Sequence, residues 1–191
     1  MSNETTWTCD CGAVEARLAP VTGTRCICYC ASCQAFLRHL DRYELADDAG
    51  GTDLFQTTPD KVTFVKGDGN LKALRLSDKG PIRWSTTCCN TPMGNTAPKR
   101  VVPFVGFLVR SIKDPELIGP ILARVHRKDA TAHVEGDAGS MRRLILSFIG
   151  RALPVLATGK YKKTPFFDAS GRAVAKPERQ NDAERALAYG G

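Results

Sequence analysis

The chain has 191 residues, 42% of them hydrophobic and 25% charged, with a formal net charge of +7. That is the balance of an ordinary globular chain long enough to bury a core, and it excludes a low-complexity or natively unfolded polymer. Residues 1–8 hold no apolar signal run, and the most apolar stretch, Leu144 to Leu156, is interrupted by Arg151 and Pro154. It falls short of the roughly 20 residues a membrane span requires, so a cytoplasmic protein with no membrane contact is expected.

In chain order, the first half reads as short strands joined by turns. Val14–Leu18 alternates, and Thr24–Cys30 continues as a second strand. Gln34–Leu40 has helix formers, with Phe36, Leu37 and Leu40 on one face, and Gly50-Gly51 breaks the chain. Lys61–Lys66 is rich in β-branched and aromatic residues and closes on the turn Gly67–Asn70. Leu71–Leu76 alternates again, and Ile82–Thr86 leads into Cys88.

The second half differs in charge. Residues 1–96 carry 10 basic and 11 acidic side chains, against 17 and 9 in residues 97–191. This predicts a division into a first domain over 1–96, where all eight cysteines lie, and a basic, α-rich extension over 97–191 that packs on it. Asp114-Pro115 reads as a cap opening a helix to about Arg127, bent by Pro120, with Leu117, Ile118, Ile121, Leu122 and Val125 as its stripe. A second helix is expected from near Ser140, with Met141, Leu144, Ile145, Phe148 and Ile149 as its apolar side, ending at Pro154 or Gly159. Phe166 to Val174 reads as a small hairpin, and the polar tail from Lys176 is expected to be partly loose. The fold class is therefore mainly β with added helices (α+β).

The chemistry sits in eight cysteines, all in the first half. In a reducing compartment, clustered cysteines point to metal ligands or reactive thiols rather than to disulfides. Cys28, Cys30 and Cys33 give C-x-C-x-x-C, three thiolates that leave a fourth tetrahedral position free, as a catalytic zinc requires. Cys26 lies on the same face as Cys28 and is the alternative fourth ligand of a closed structural site. Cys9 and Cys11, two apart on a strand, can face one ion and pair with Cys88 or Cys89. Adjacent side chains usually diverge, so only one of that pair is expected to bind, and a vicinal disulfide is the redox alternative. The cofactor expected is Zn2+, one or two per chain.

Other motifs are thin. There is no glycine-rich phosphate loop and no nucleophile elbow. His39, six residues after Cys33, reads as a surface or partly packed histidine, and His126 and His133 suggest no role. Lys160, Tyr161, Lys162 and Lys163 read as a solvated basic face, so nucleic acid is not expected as a partner.

Cys9-x-Cys11-Gly12-Ala13-Val14, then Cys28-x-Cys30-x-x-Cys33-Gln34, then Gly67, then Cys89-Asn90-Thr91-Pro92-Met93 resembles the glutathione-dependent formaldehyde-activating enzyme (GFA/CENP-V) family over about residues 7–96. The resemblance implies a zinc-bound β-tent, with Cys28, Cys30 and Cys33 matching the catalytic-type ligands and Cys9, Cys11 and Cys89 the structural ones. It implies a carbon–sulfur lyase acting on glutathione or a related small-thiol adduct, with arginines such as Arg25 or Arg38 near an anionic substrate. The alternative is a non-catalytic zinc-stabilised module whose basic half binds an acidic partner or nucleic acid. Two departures stand out. The family ends in C-x-x-C-G, whereas this chain has Thr86 three before Cys89 and Asn90 after it, with Cys88 as a stand-in ligand. With the basic extension, this resembles a divergent bacterial subfamily.

Overall fold

A computed structural model of the chain describes residues 3–19 and 21–189. Two sheets carry the fold, and helices are added to them. The small sheet has three antiparallel strands in the order β1 (Thr5–Thr8), β2 (Glu15–Leu18) and β5 (Val62–Lys66). The large sheet has eight. Its first-half members are β3 (Thr24–Cys28), β4 (Thr52–Thr57), β6 (Leu71–Arg75), β7 (Ile82–Thr86) and β8 (Pro92–Thr96). The second half adds β9 (Val105–Leu108), β10 (Ile121–Val125) and β11 (Glu178–Arg179), and the order is β10-β3-β4-β9-β8-β7-β6-β11. Mainly-β architecture with added helices is the fold class expected from the sequence.

The compositional change near residue 96 is not a break in this sheet. β9 lies between β4 and β8, pairing Phe107 with Phe55 on one side and with Gly94 on the other. Gly94 is required there: its φ is +149°, and a Cβ would collide with the Gly106 carbonyl of the neighbouring strand.

Beneath both sheets is an aromatic core. Trp7, Trp84, Phe107 and Phe166 are all fully buried. Phe166, from the second half, meets Trp84 at 5.2 Å, Phe64 at 5.8 Å and Phe107 at 6.3 Å between ring centroids. It sits in the expected hairpin, where Val174 donates to the Phe166 carbonyl and Asp168 to that of Arg172.

Helix α1 (Ala31–His39) starts three residues earlier than the sequence suggested, with Cys30 as its N-cap. The helix expected over 114–127 is instead a 3-10 turn, Pro115–Ile118, followed by strand β10. Gly119 at φ +78° and Pro120, which has no amide hydrogen, break the helix. The apolar residues beyond then pair in parallel with β3, with Ala123 and Val125 buried alternately.

Helix α2 (Met141–Ala157) does begin at Ser140, whose side chain accepts from the Arg143 amide. Its buried residues, however, are Leu144, Ala152 and Val155, and the expected Met141, Ile145 and Ile149 are exposed. The helix is apolar on more than one side, and its placement on β10 and β3 decides which side is covered. Pro154 does not end it; the helix runs on to Ala157, with Gly159 in the left-handed conformation beyond its end. The tail is also more ordered than expected: β11 pairs with β6, and α3 (Asp182–Tyr189) buries Ala188 against Ala35, Phe36 and Leu40.

Candidate metal centres

The three-cysteine group is built where β3 hands over to α1. Cys28 is the last residue of β3, Cys30 caps α1 and Cys33 lies in its first turn, donating its amide to the Cys30 carbonyl at 2.9 Å. Their sulfurs lie within 4.8 Å of one another, so this group could hold a metal ion. The C-x-x-C step is thus the first turn of a helix. Its unpaired amides favour negative charge on nearby sulfur.

Cys26 does not join them. It is buried on the same face as Cys28, yet its sulfur lies outside the group and accepts from Gln56 Nε2 at 3.2 Å. The reason is strand geometry: two residues along a strand advance about 6.6 Å. Two thiolates sharing a tetrahedral zinc, with Zn–S of about 2.3 Å, must sit about 3.8 Å apart. Burial, reinforced by the charges of Cys33, Asp53 and Cys30, pushes the Cys26 thiol up to about 12. The group is a triad, not a tetrad.

Arg83 is the residue that sequence reasoning missed. It lies on β7 with 4% of its surface exposed, and its Nη1 donates to Cys33 Sγ at 3.4 Å while Nη2 donates to Ser32 Oγ at 2.8 Å. Three thiolates around a divalent ion carry a net charge of −1, which this guanidinium offsets in a site with little water. Hydrogen bonds from Cys28 and Cys30 and the adjacent Arg83 outweigh burial and hold the Cys33 thiol well below its usual range. Cys28 is pushed the other way, first by its hydrogen bonds to Cys30 and Cys33 and then by burial. Three adjacent thiols, two buried and one half-buried, resist ionising together unless a cation joins them. The signal for Arg83 was present: a lone cation between Ile82 and Trp84 in a strand buried along its whole length.

The arginines named from the sequence have other duties. Arg25 is held bidentately by Asp53, at 2.6 Å for the shortest contact. Arg38 donates to Gln34 and Tyr43. His39 bonds Gln180 at 2.8 Å, and His133 lines a cavity with Tyr29 and Asp47. His126, given no role from the sequence, lies elsewhere. It lines the pocket of about 320 Å³ onto which Cys28, Cys30 and Cys33 open, together with Arg83, Asn95 and Gln56. Its φ of +58° is a strained value for a side-chain-bearing residue.

The second group is Cys9, Cys11, Cys88 and Cys89, whose sulfurs also lie within 4.8 Å of one another and could hold a metal ion. Cys9 and Cys11 sit in the turn between β1 and β2 rather than on a strand, and Cys88 and Cys89 in the turn between β7 and β8. Three sulfur separations are 3.6 Å (Cys9–Cys11), 3.8 Å (Cys9–Cys88) and 3.7 Å (Cys88–Cys89). These match the tetrahedral edge of about 3.8 Å, so a zinc-sized ion fits the donor set.

Both vicinal cysteines therefore face the group, against the expectation that they diverge. The chain reverses between them and β8: the Asn90 amide bonds the Thr86 carbonyl, and Asn90 takes φ +56°, which asparagine tolerates better than most residues. Thr86 is not a ligand but serves one, lying 3.4 Å from Cys89 Sγ, with Thr91 Oγ1 at 3.1 Å. Burial raises the Cys89 thiol, but these hydroxyls and the contact with Cys11 prevail and hold it at about 5. All eight cysteines are free, so no vicinal disulfide is present.

With the geometry in place, comparison with known proteins assigns a family and no activity. The chain belongs to the family described as a family of unknown function (DUF6151), which it matches over residues 1–178. No curated protein matches it. A crystal structure of a Rhodobacter sphaeroides protein, a structural genomics target, is similar at 20% identity and a TM-score of 0.39, over 61% of this chain and 96% of that one. A likeness at that level carries nothing over to this chain, whose chemistry has to be argued from its own residues. Among the described residues, no helix is long and apolar enough to cross a membrane.

Proposed function

We propose that this is a zinc protein with two unlike centres: a closed Cys9/Cys11/Cys88/Cys89 site that staples two turns, and an open Cys28/Cys30/Cys33 site that binds a small thiol or its carbonyl adduct. The observation that carries this reading is the triad itself, three sulfurs gathered at a pocket while Cys26 stays outside. Four thiolates would have made a scaffold; three leave a coordination position toward the pocket. When bound, zinc supplies a Lewis acid that keeps a ligand sulfur as thiolate at neutral pH. The resemblance to GFA enzymes points the same way, toward making or breaking a carbon–sulfur bond.

The chain's own residues have separable parts in this. Cys28, Cys30 and Cys33 would hold the ion, and Arg83 orients Cys33 and offsets the charge. When a thiol–aldehyde adduct breaks, its sulfur keeps the electron pair of the C–S bond, and its hydroxyl proton leaves as the C=O bond forms. His126 is the lining residue able to take that proton.

The test is zinc per chain by elemental analysis, in protein purified under reducing conditions, for the parent chain and Cys30→Ala. Two zinc falling to one supports the reading. Parent protein without zinc, or a Cys30→Ala variant that retains both ions, overturns it.

A further inference from the structure

We propose, on the reading that the triad holds zinc, that the ligand completing it is a small, mainly apolar thiol with at most one hydrogen-bonding arm, rather than a charged peptide thiol such as glutathione. The walls of the pocket include Leu54, Phe104, Val125 and Leu144, and Arg83 lies at Cys33. At about 320 Å³ it stands at the small end of the range for ligand pockets.

Charge makes the stronger argument. Three cysteine thiolates, the divalent ion and a ligand thiolate sum to −2, which Arg83 brings to −1. Arg83 is the single lysine or arginine among the described residues lining the pocket, and it is already held by Cys33 and Ser32. Glutathione would bring two carboxylates and an ammonium group into this space. Arg83 is already bonded, and His126 is the one other lining group able to carry positive charge, so at least one of the two carboxylates would be left without a partner, which is costly. An apolar body loses nothing there and covers the four walls.

One polar arm is provided for. Asn95 and Gln56 both line the pocket and are uncharged, so a ligand hydroxyl or N–H can meet a neutral polar side chain there where a carboxylate would meet no charge. A ligand thiol would have to give its S–H proton to solvent to serve as a thiolate ligand of an ion held by Cys28, Cys30 and Cys33, so association would strengthen as pH rises.

The experiment uses the full chain loaded with cobalt(II), whose visible absorption reports the ligands around the metal. Benzyl mercaptan and glutathione are titrated separately against the spectrum. Benzyl mercaptan is expected to reach half-saturation at a concentration at least about tenfold lower than glutathione. Phe104→Ala is expected to weaken benzyl mercaptan several-fold while cobalt loading stays as in the parent. Glutathione saturating at an equal or lower concentration overturns the inference, whatever the variant does. If Cys30→Ala leaves the cobalt spectrum and stoichiometry unchanged, the triad is not a metal site, and the underlying reading fails instead.

Discussion

Replacing Arg83 by methionine keeps much of the side-chain volume and removes the charge at one stroke. Arg83 is buried, and its hydrogen bond to Cys33 is made to a sulfur held well below its usual pKa. A hydrogen bond to a charged group contributes about 1.5–3 kcal/mol. Loss of a residue that orients a metal ligand typically costs 10–100-fold in metal affinity, or about 1.4–2.8 kcal/mol, and the two figures agree. Arg83→Met is therefore expected to weaken one of the two zinc ions by 10–100-fold and to leave the other unchanged. The assay is competition with a chromophoric chelator, read as two separate zinc losses. Stability of the metal-free protein should also fall, because the substitution leaves buried Cys33 and Ser32 without the guanidinium that bonds both. Arg83→Lys, which keeps the charge but not the fork of donors, should fall between. If both ions leave Arg83→Met at parental chelator concentrations, the charge argument is wrong.

Three further outcomes follow from the same geometry. Residues 1–96 made alone should not give a folded domain by circular dichroism or proteolysis, because losing β9 separates β3 and β4 from β8, β7 and β6; a cooperative melt of that fragment would contradict it. Phe166→Ala should lower unfolding stability by about 3–5 kcal/mol in urea titration, since the ring is fully buried among three aromatic side chains, and a loss under 1 kcal/mol would place it outside the core. Cys26→Ala should keep the parental zinc count, whereas Cys9→Ser should lose one zinc and lower the melting temperature, because that site ties the β1–β2 turn to the β7–β8 turn; elemental analysis with thermal melts checks both.

Local patterns carried five of the eleven strands. Glu15–Leu18, Thr24–Cys28, Val62–Lys66, Leu71–Arg75 and Ile82–Thr86 lie within the stretches read as extended, and Ser140 marks its helix start because a cap needs only neighbours in sequence. The stretch 117–125 misled because five apolar residues at helical spacing also fit a half-buried strand. Gly119 and Pro120 broke the helix, and the open edge of β3 took the segment as a strand. The apolar sides of α2 could not be ranked from sequence, since burial depends on what the helix lies against.

The cysteine chemistry was written in the spacing: the steps Cys9-x-Cys11, Cys28-x-Cys30 and Cys30-x-x-Cys33 and the adjacent Cys88-Cys89 singled out the residues of the two groups, with one of the last pair expected to diverge. Three matters were left to the tertiary structure. Cys26 fell outside the triad because a strand advances too far in two residues, Cys88 and Cys89 both turned inward because Asn90 reverses the chain, and Arg83 reached Cys33 from a distant strand while His126 came to line the same pocket. Each of these depends on contacts between segments far apart in the chain, whose energies come from packing and charge rather than from local sequence. The amino-acid order therefore determined which atoms could bind a metal, and the fold decided which of them meet and what surrounds them.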